Sequence, residues 1–351
     1  MTKQTTVAQQ VTENKGAMES GKRYTMANVK KSIPPQRLAN MMMVSLVGVS
    51  LIASAVLLYR PHTTAAAVPT SAIEVLLHAR KMAFPDAKPF QDEHDAVMVP
   101  IRFISEKLGA QVGYLNRSGQ QIVTLQTAQH SVTLTVGSAT AVVDGQSKTY
   151  DSQIIVKQQR TYVPLRLVSE GLGQTVEWDQ VGKWVWIGGK DVPTLEELNL
   201  KKQPISTVKK YFDQNNNEYF LKNLSRSPYK DVIIMKQSDF PIKVDDVIIY
   251  DIQPVWIDGM QLFRVRTNGK NYPIAYLTTK QDYRDRSAIA QLKTKNSDGS
   301  AFYFFKIFSW ADSDLQGIVD ATPLSPKDLD YISIQYVSLD SMLLLQNPWK
   351  E

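Results

Sequence analysis

Cysteine is absent from all 351 residues. That excludes disulfides, thiolate metal sites, cysteine nucleophiles and a lipid-modified cysteine anchor together. Histidine is nearly as scarce: His62, His78, His94 and His130 are the only four, and all precede residue 131. Everything beyond that point lacks the Ser–His pair of a hydrolase and any histidine-bound zinc. Glutamate is thin in the same region, where Glu218 stands alone between residues 200 and 350. A glycosidase-like carboxylate pair would have to use aspartates, and spacing singles out no two of them. No phosphate-binding glycine loop or dinucleotide fingerprint occurs. The sequence therefore offers no catalytic residue, no cofactor-binding residue and no expected cofactor.

Positive charge looks abundant, with a net +6, but it is local. Residues 1–39 hold seven basic side chains (Lys3, Lys15, Lys22, Arg23, Lys30, Lys31, Arg37) against Glu13 and Glu19. The rest of the chain is close to neutral, so nucleic acid is not an expected partner. Hydrophobic residues make up 43%, enough to build a core. Residues 1–37 are polar and read as a disordered, basic cytoplasmic tail.

From Leu38 to Tyr59 there is no charge at all. Twenty-two helical residues span about 30 Å, the thickness of a bilayer's hydrocarbon core. Met41, Val44, Leu46, Val49, Leu51, Ile52, Val56 and Leu58 distribute around every face, unlike the stripe of a core helix. The basic excess precedes this span, which predicts a cytoplasmic N-terminus and an extracytoplasmic bulk. Residues 38–59 thus read as a transmembrane signal anchor and residues 60–71 as a spacer. Ala65-Ala66-Ala67 resembles a signal-peptidase site, so cleavage near Ala67, giving a secreted form, is the alternative. Met26 is an alternative start.

An internal repeat follows. Val97-Met98-Val99-Pro100-Ile101-Arg102-Phe103-Ile104-Ser105-Glu106-Lys107-Leu108-Gly109 returns, 64 residues later, as Thr161-Tyr162-Val163-Pro164-Leu165-Arg166-Leu167-Val168-Ser169-Glu170-Gly171-Leu172-Gly173. Proline suits a helix's first turn and glycine the left-handed position just past its end. Each segment between them has room for about two turns. Ile101, Ile104 and Leu108 share one face, as do Leu165, Val168 and Leu172. Arg102 and Glu106, and Arg166 and Glu170, lie four apart and can pair. Each copy continues into a strand, Gln111–Tyr114 or Thr175–Trp178, a polar turn and a second strand, with a register slip of one residue expected at the turn. Pro100, Arg102, Glu106, Leu108, Gly109, Pro164, Arg166, Glu170, Leu172, Gly173 and Trp178 form the repeat's structural core in this reading.

These paired VPxRxxSExLG cores, each followed by a V-x-aromatic strand, resemble the copper amine oxidase N-terminal-like or stalk domain, common in exported proteins of Gram-positive, spore-forming bacteria. The resemblance covers residues 72–188. It departs from the pattern at His94-Asp95-Ala96 and at Tyr114-Leu115, where copy two has Trp178-Asp179. It implies a helix-on-sheet appendage lying away from the copper and quinone of the oxidases, hence no oxidase chemistry and no metal here.

Residues 189–204 read as a linker, with Thr194 and Glu197 in capping-box spacing. Residues 205–351 read as a β-rich α+β domain of no assigned family. It has a possible helix over 205–223 and strands near 232–235, 247–252, 261–267, 272–277, 301–308 and 331–337. Asp312, Asp314 and Asp320 have the spacing of a calcium loop, but Pro323 stands where its bidentate glutamate belongs, and an acidic turn is the plainer reading.

The expected fold class is α+β: a transmembrane helix, a stalk domain of antiparallel strands packed with short helices, then the β-rich domain. The expected function is that of a non-enzymatic, membrane-anchored envelope protein whose partner is a cell-wall polymer or another envelope protein. A transmembrane sensor using the tail, and an envelope hydrolase using aspartates in 200–351, are the alternatives.

Overall fold

The computed structural model describes residues 73–213, 217–223, 225–309, 312, 323–335 and 338–350. The tail, the 38–59 span and the spacer lie outside the described residues. Among the described residues no helix is long and apolar enough to cross a membrane. Strands predominate among the described residues, where helices of seven, seven and four residues lie at Ile101–Lys107, Leu165–Gly171 and Leu195–Leu198. The described residues all lie in one compact unit.

Both proline-to-glycine segments form helices, Ile101–Lys107 and Leu165–Gly171. Pro100 and Pro164 stand one position earlier than expected, as the buried last residues of the strands Val97–Pro100 and Arg160–Pro164. Their fixed φ, −65° and −56°, is compatible with strand and helix alike, so each ends one element and starts the next. Gly109 and Gly173 close the helices at φ +75° and +76°. In both copies two backbone bonds complete a Schellman cap: Gly109 N–H to Glu106 O and Ala110 N–H to Ser105 O, then Gly173 to Glu170 and Gln174 to Ser169.

The two copies are interlocked. Their proline strands pair antiparallel, and Val99 faces Val163, its own counterpart in the repeat. A local two-fold axis therefore passes between them. Phe90–Gln91 and Ile155–Lys157 flank this pair symmetrically to complete a four-stranded sheet. The hairpin after each helix joins the leading strands of the opposite copy. Val176–Asp179 and Trp184–Ile187 sit beside Glu74–Leu77 and Arg80–Lys81, with Trp184–Ile187 parallel to Glu74–Leu77. Gln111–Arg117 and Gln120–Gln126 sit beside Thr140–Val143 and Gln146–Thr149, with Ser131–Thr135 inserted between the two pairs. One core runs through both copies, from Val99, Ile104 and Leu125 to Val163, Val168, Leu172 and Ile187.

The register slip at the hairpin turn is two residues, not the expected one. Tyr114 faces Val123, whereas Trp178 faces Val185. A one-residue slip would turn the second strand's apolar set away from the core, because strand side chains alternate.

The second half begins as expected at Thr194, whose hydroxyl accepts from Glu197 N–H while the Glu197 carboxylate accepts from Thr194 N–H. The end of the expected linker, Lys202–Pro204, is a strand paired with Asp231–Met235. No α-helix follows. The described parts of 205–223 form three 3-10 segments, Ile205–Thr207, Lys209–Tyr211 and Asn217–Leu221. Val208 and Tyr211, three apart, are both buried, which suits the three-residue turn. Two sheets of six and five strands enclose a core including Phe240, Phe263, Tyr276, Phe305 and Leu343. Six of their strands match the expected runs to within a few residues. Ser341–Gln346, parallel to Asp231–Met235, was not expected.

Candidate functional site

Two features of the repeat region carry chemistry: its junction with the second half, and a pair of clefts related by the local two-fold axis.

The junction forms on the outward face of the Trp184–Ile187 strand. All four of its residues are buried, because the strand has the core on one side and the second half on the other. Trp184 and Trp186 point outward with Leu76 and Ala79 and meet Tyr250 and Val192. Arg266, 2% exposed, reaches across from the second half. Its Nη1 and Nη2 donate to the Asp179 carboxylate at 2.6 and 3.1 Å. Nη2 also donates to Asp298 at 2.5 Å, and Nε to the Ser300 hydroxyl at 3.2 Å. The guanidinium lies 4.6 Å from the Tyr250 ring centroid and 5.7 Å from that of Trp184. Asp179 is oriented from its own side by N–H groups of Val181 and Gly182. A second buried acid nearby, Asp251, lies 3.6 Å from Arg264; burial pushes its carboxyl up despite that neighbour.

Sequence reasoning missed Arg266, Asp298, Tyr250 and the two buried tryptophans. One signal was available. Trp184 and Trp186 alternate with Val185 and Ile187, so both faces of that strand are apolar, the pattern of a strand covered on both sides.

The clefts are equivalent in the repeat. One, of about 470 Å³, is lined by Pro100, Ile101, Arg102 and Tyr114 of copy one with Gln159 and Thr161 of copy two. The other, of about 460 Å³, is lined by Pro164, Leu165, Arg166 and Trp178 of copy two with Asp95 and Val97 of copy one. Asp95 and Gln159, 64 apart, both hold left-handed backbone, at φ +61° and +60°. Non-glycine residues adopt that conformation at a cost that the surrounding turn must offset.

The charged members of the expected repeat core are on the surface. Arg102, Glu106, Arg166, Glu170 and Trp178 are exposed, as are the cap glycines; Leu172 is buried and Leu108 half-buried. Arg166 pairs with Glu170 at 3.5 Å, whereas the Arg102 guanidinium lies 5.8 Å from the Tyr114 ring centroid. Short helices with one buried face leave these polar positions to solvent. Asp312, considered above as a calcium ligand, is instead clamped by guanidinium groups. Arg286 donates to both of its oxygens at 2.8 Å, and Arg284 Nη1 lies 3.1 Å away. Asp314 and Asp320 lie outside the described residues. Among the described residues no cluster of His, Cys, Asp or Glu is placed to hold a metal ion. His130 bonds Asp144 at 2.9 Å, and His78 accepts from Gly189 N–H at 3.2 Å.

Two interlocked copies of a strand–proline–helix–glycine–hairpin unit define the fold of this half. Residues 77–187 match the copper amine oxidase N-terminal domain. The match takes in both copies of the repeat and both clefts. The Arg266 junction lies at the edge of this copper amine oxidase N-terminal domain, where Asp179 replaces the Leu115 of copy one. No curated protein matches the chain.

Proposed function

We propose that the chain is a non-enzymatic, membrane-anchored protein of the cell envelope, in which the copper amine oxidase N-terminal domain holds the second half in a fixed attitude outside the membrane. The Arg266–Asp179 junction carries this reading. A guanidinium buried between acids from both halves and against tryptophan and tyrosine rings ties them together, as a spacer requires. The uncharged span 38–59, with its basic flank, supplies the anchor and the direction. Such a protein would meet cell-wall polymer or another envelope protein.

Protease added to intact, wall-stripped cells tests the topology. Digestion of a C-terminal epitope with survival of an N-terminal one is the expected result. Protection of the C-terminal epitope would overturn the reading.

A further inference from the structure

The two clefts of the repeat domain are equal in origin but not in chemistry, and the difference points to one of them. In the copy-one cleft Arg160 and Asp86 are bonded to each other at 2.6 Å. The copy-two cleft has three features of a built site.

First, its wall carries a planar aromatic surface. Trp178 is 36% exposed. Its indole N–H donates to Gln180 at 2.6 Å, and the Lys183 ammonium lies over the ring, 5.8 Å from its centroid. Second, the cleft has an unsatisfied donor. Tyr150 lines it, and the Tyr150 hydroxyl is buried with no hydrogen-bond partner. Burying a hydroxyl unpaired is unfavourable by about 1–3 kcal/mol, a loss that a ligand hydroxyl or water removes. Third, its lining is mixed in charge: Asp95 and Asp151 stand beside Lys183, His94 and an Arg166 already paired with Glu170. No single sign of charge dominates the cleft, and it offers donors and acceptors side by side.

We propose that this cleft binds an uncharged sugar unit of a linear glycan. A sugar hydroxyl both donates and accepts, matching mixed amide, carboxylate and cationic partners. A pyranose ring presents a face of C–H groups, which suits the face of a partly exposed indole. The volume of about 460 Å³ falls within the range of small-molecule sites, about 300–1,000 Å³. The envelope as the source of the glycan rests on the function proposed above; the binding itself does not, so a protein with the opposite topology could still bind.

The test is calorimetric titration of the purified full-length chain in detergent with a linear N-acetylglucosamine hexamer. Polyglycerol phosphate serves as the anionic comparison. Saturable binding of the neutral oligomer is expected. Trp178→Ala is expected to weaken it about tenfold or more with an unchanged melting temperature. Tyr150→Phe, which removes a single oxygen, is expected to weaken it a few-fold and serves as the second variant if Trp178→Ala does not fold. Absence of saturable binding up to about 1 mM would overturn the proposal. So would unchanged affinity in both variants, or salt-sensitive preference for the phosphate polymer.

Discussion

Arg266 grips the carboxylate of Asp179 with two nitrogens, at 2.6 and 3.1 Å, across 87 residues of sequence. Removing one partner of a buried ion pair leaves the other charge buried and unpaired, typically destabilising by about 3–5 kcal/mol. Arg266→Ala should therefore lower the denaturation midpoint markedly. It should also separate the unfolding of the two halves into distinct calorimetric transitions. A single, unshifted transition would show that the junction does not couple them.

Acid should loosen the same junction. Burial alone would raise the Asp298 carboxyl, but bonds from Ser300 and Arg266 outweigh it and hold it below its usual value of 3.8. A depressed carboxylate contributes stability that is complete above the unfolded value and is lost as pH falls through the folded one. Between about pH 5 and pH 3 the wild-type melting temperature should drop more steeply than that of Asp298→Asn. Parallel slopes would remove Asp298 from the acid response.

The two cap glycines should respond unequally. An alanine Cβ at Gly109 meets nothing within 4 Å, whereas at Gly173 it would lie 2.7 Å from His130 Nε2. Gly109→Ala should cost about 1–2 kcal/mol, from left-handed backbone alone. Gly173→Ala should cost more, because the His130 ring must move and its bond to Asp144 breaks. In a His130→Ala background the excess should vanish, as a double-mutant cycle in urea would reveal.

Leucine truncation separates the copies too. Leu172, 5% exposed, belongs to the core, so Leu172→Ala should cost roughly 2–5 kcal/mol. Leu108 is half-buried at the core's edge, so Leu108→Ala should cost about 1–2 kcal/mol, in line with the smaller apolar area removed from water. Equal losses would mean that the helix ends are packed alike.

What the sequence made legible was local or periodic. The 64-residue offset reveals the repeat, and proline and glycine mark both helices, because those two residues restrict or free φ whatever surrounds them. The Thr194–Glu197 cap is legible for the same reason. The Arg266 junction is not, since nothing near Arg266 announces an acid so distant in sequence. Ser341–Gln346 escapes because its run of Met and Leu has no alternation and no β-branched residue to distinguish strand from buried helix. The helix expected over 205–223 fails because Val208, Tyr211 and Phe212 fit a helical face and a series of tight turns equally well. The partly exposed Trp178 is visible in the sequence, but its cleft is not: the opposite wall comes from the other copy.

The first and last strands of the repeat domain lie parallel, with Glu74 beside Trp184 and Leu77 beside Ile187. The chain therefore enters at one end of this ribbon and leaves at the other. Tension between residue 73 and residue 188 would pull the two strands past each other lengthwise. Every backbone bond between them would be loaded at once, so none could fail first and unzip the rest. A load drawn through the domain from residue 73 to residue 188 is thus resisted by shear.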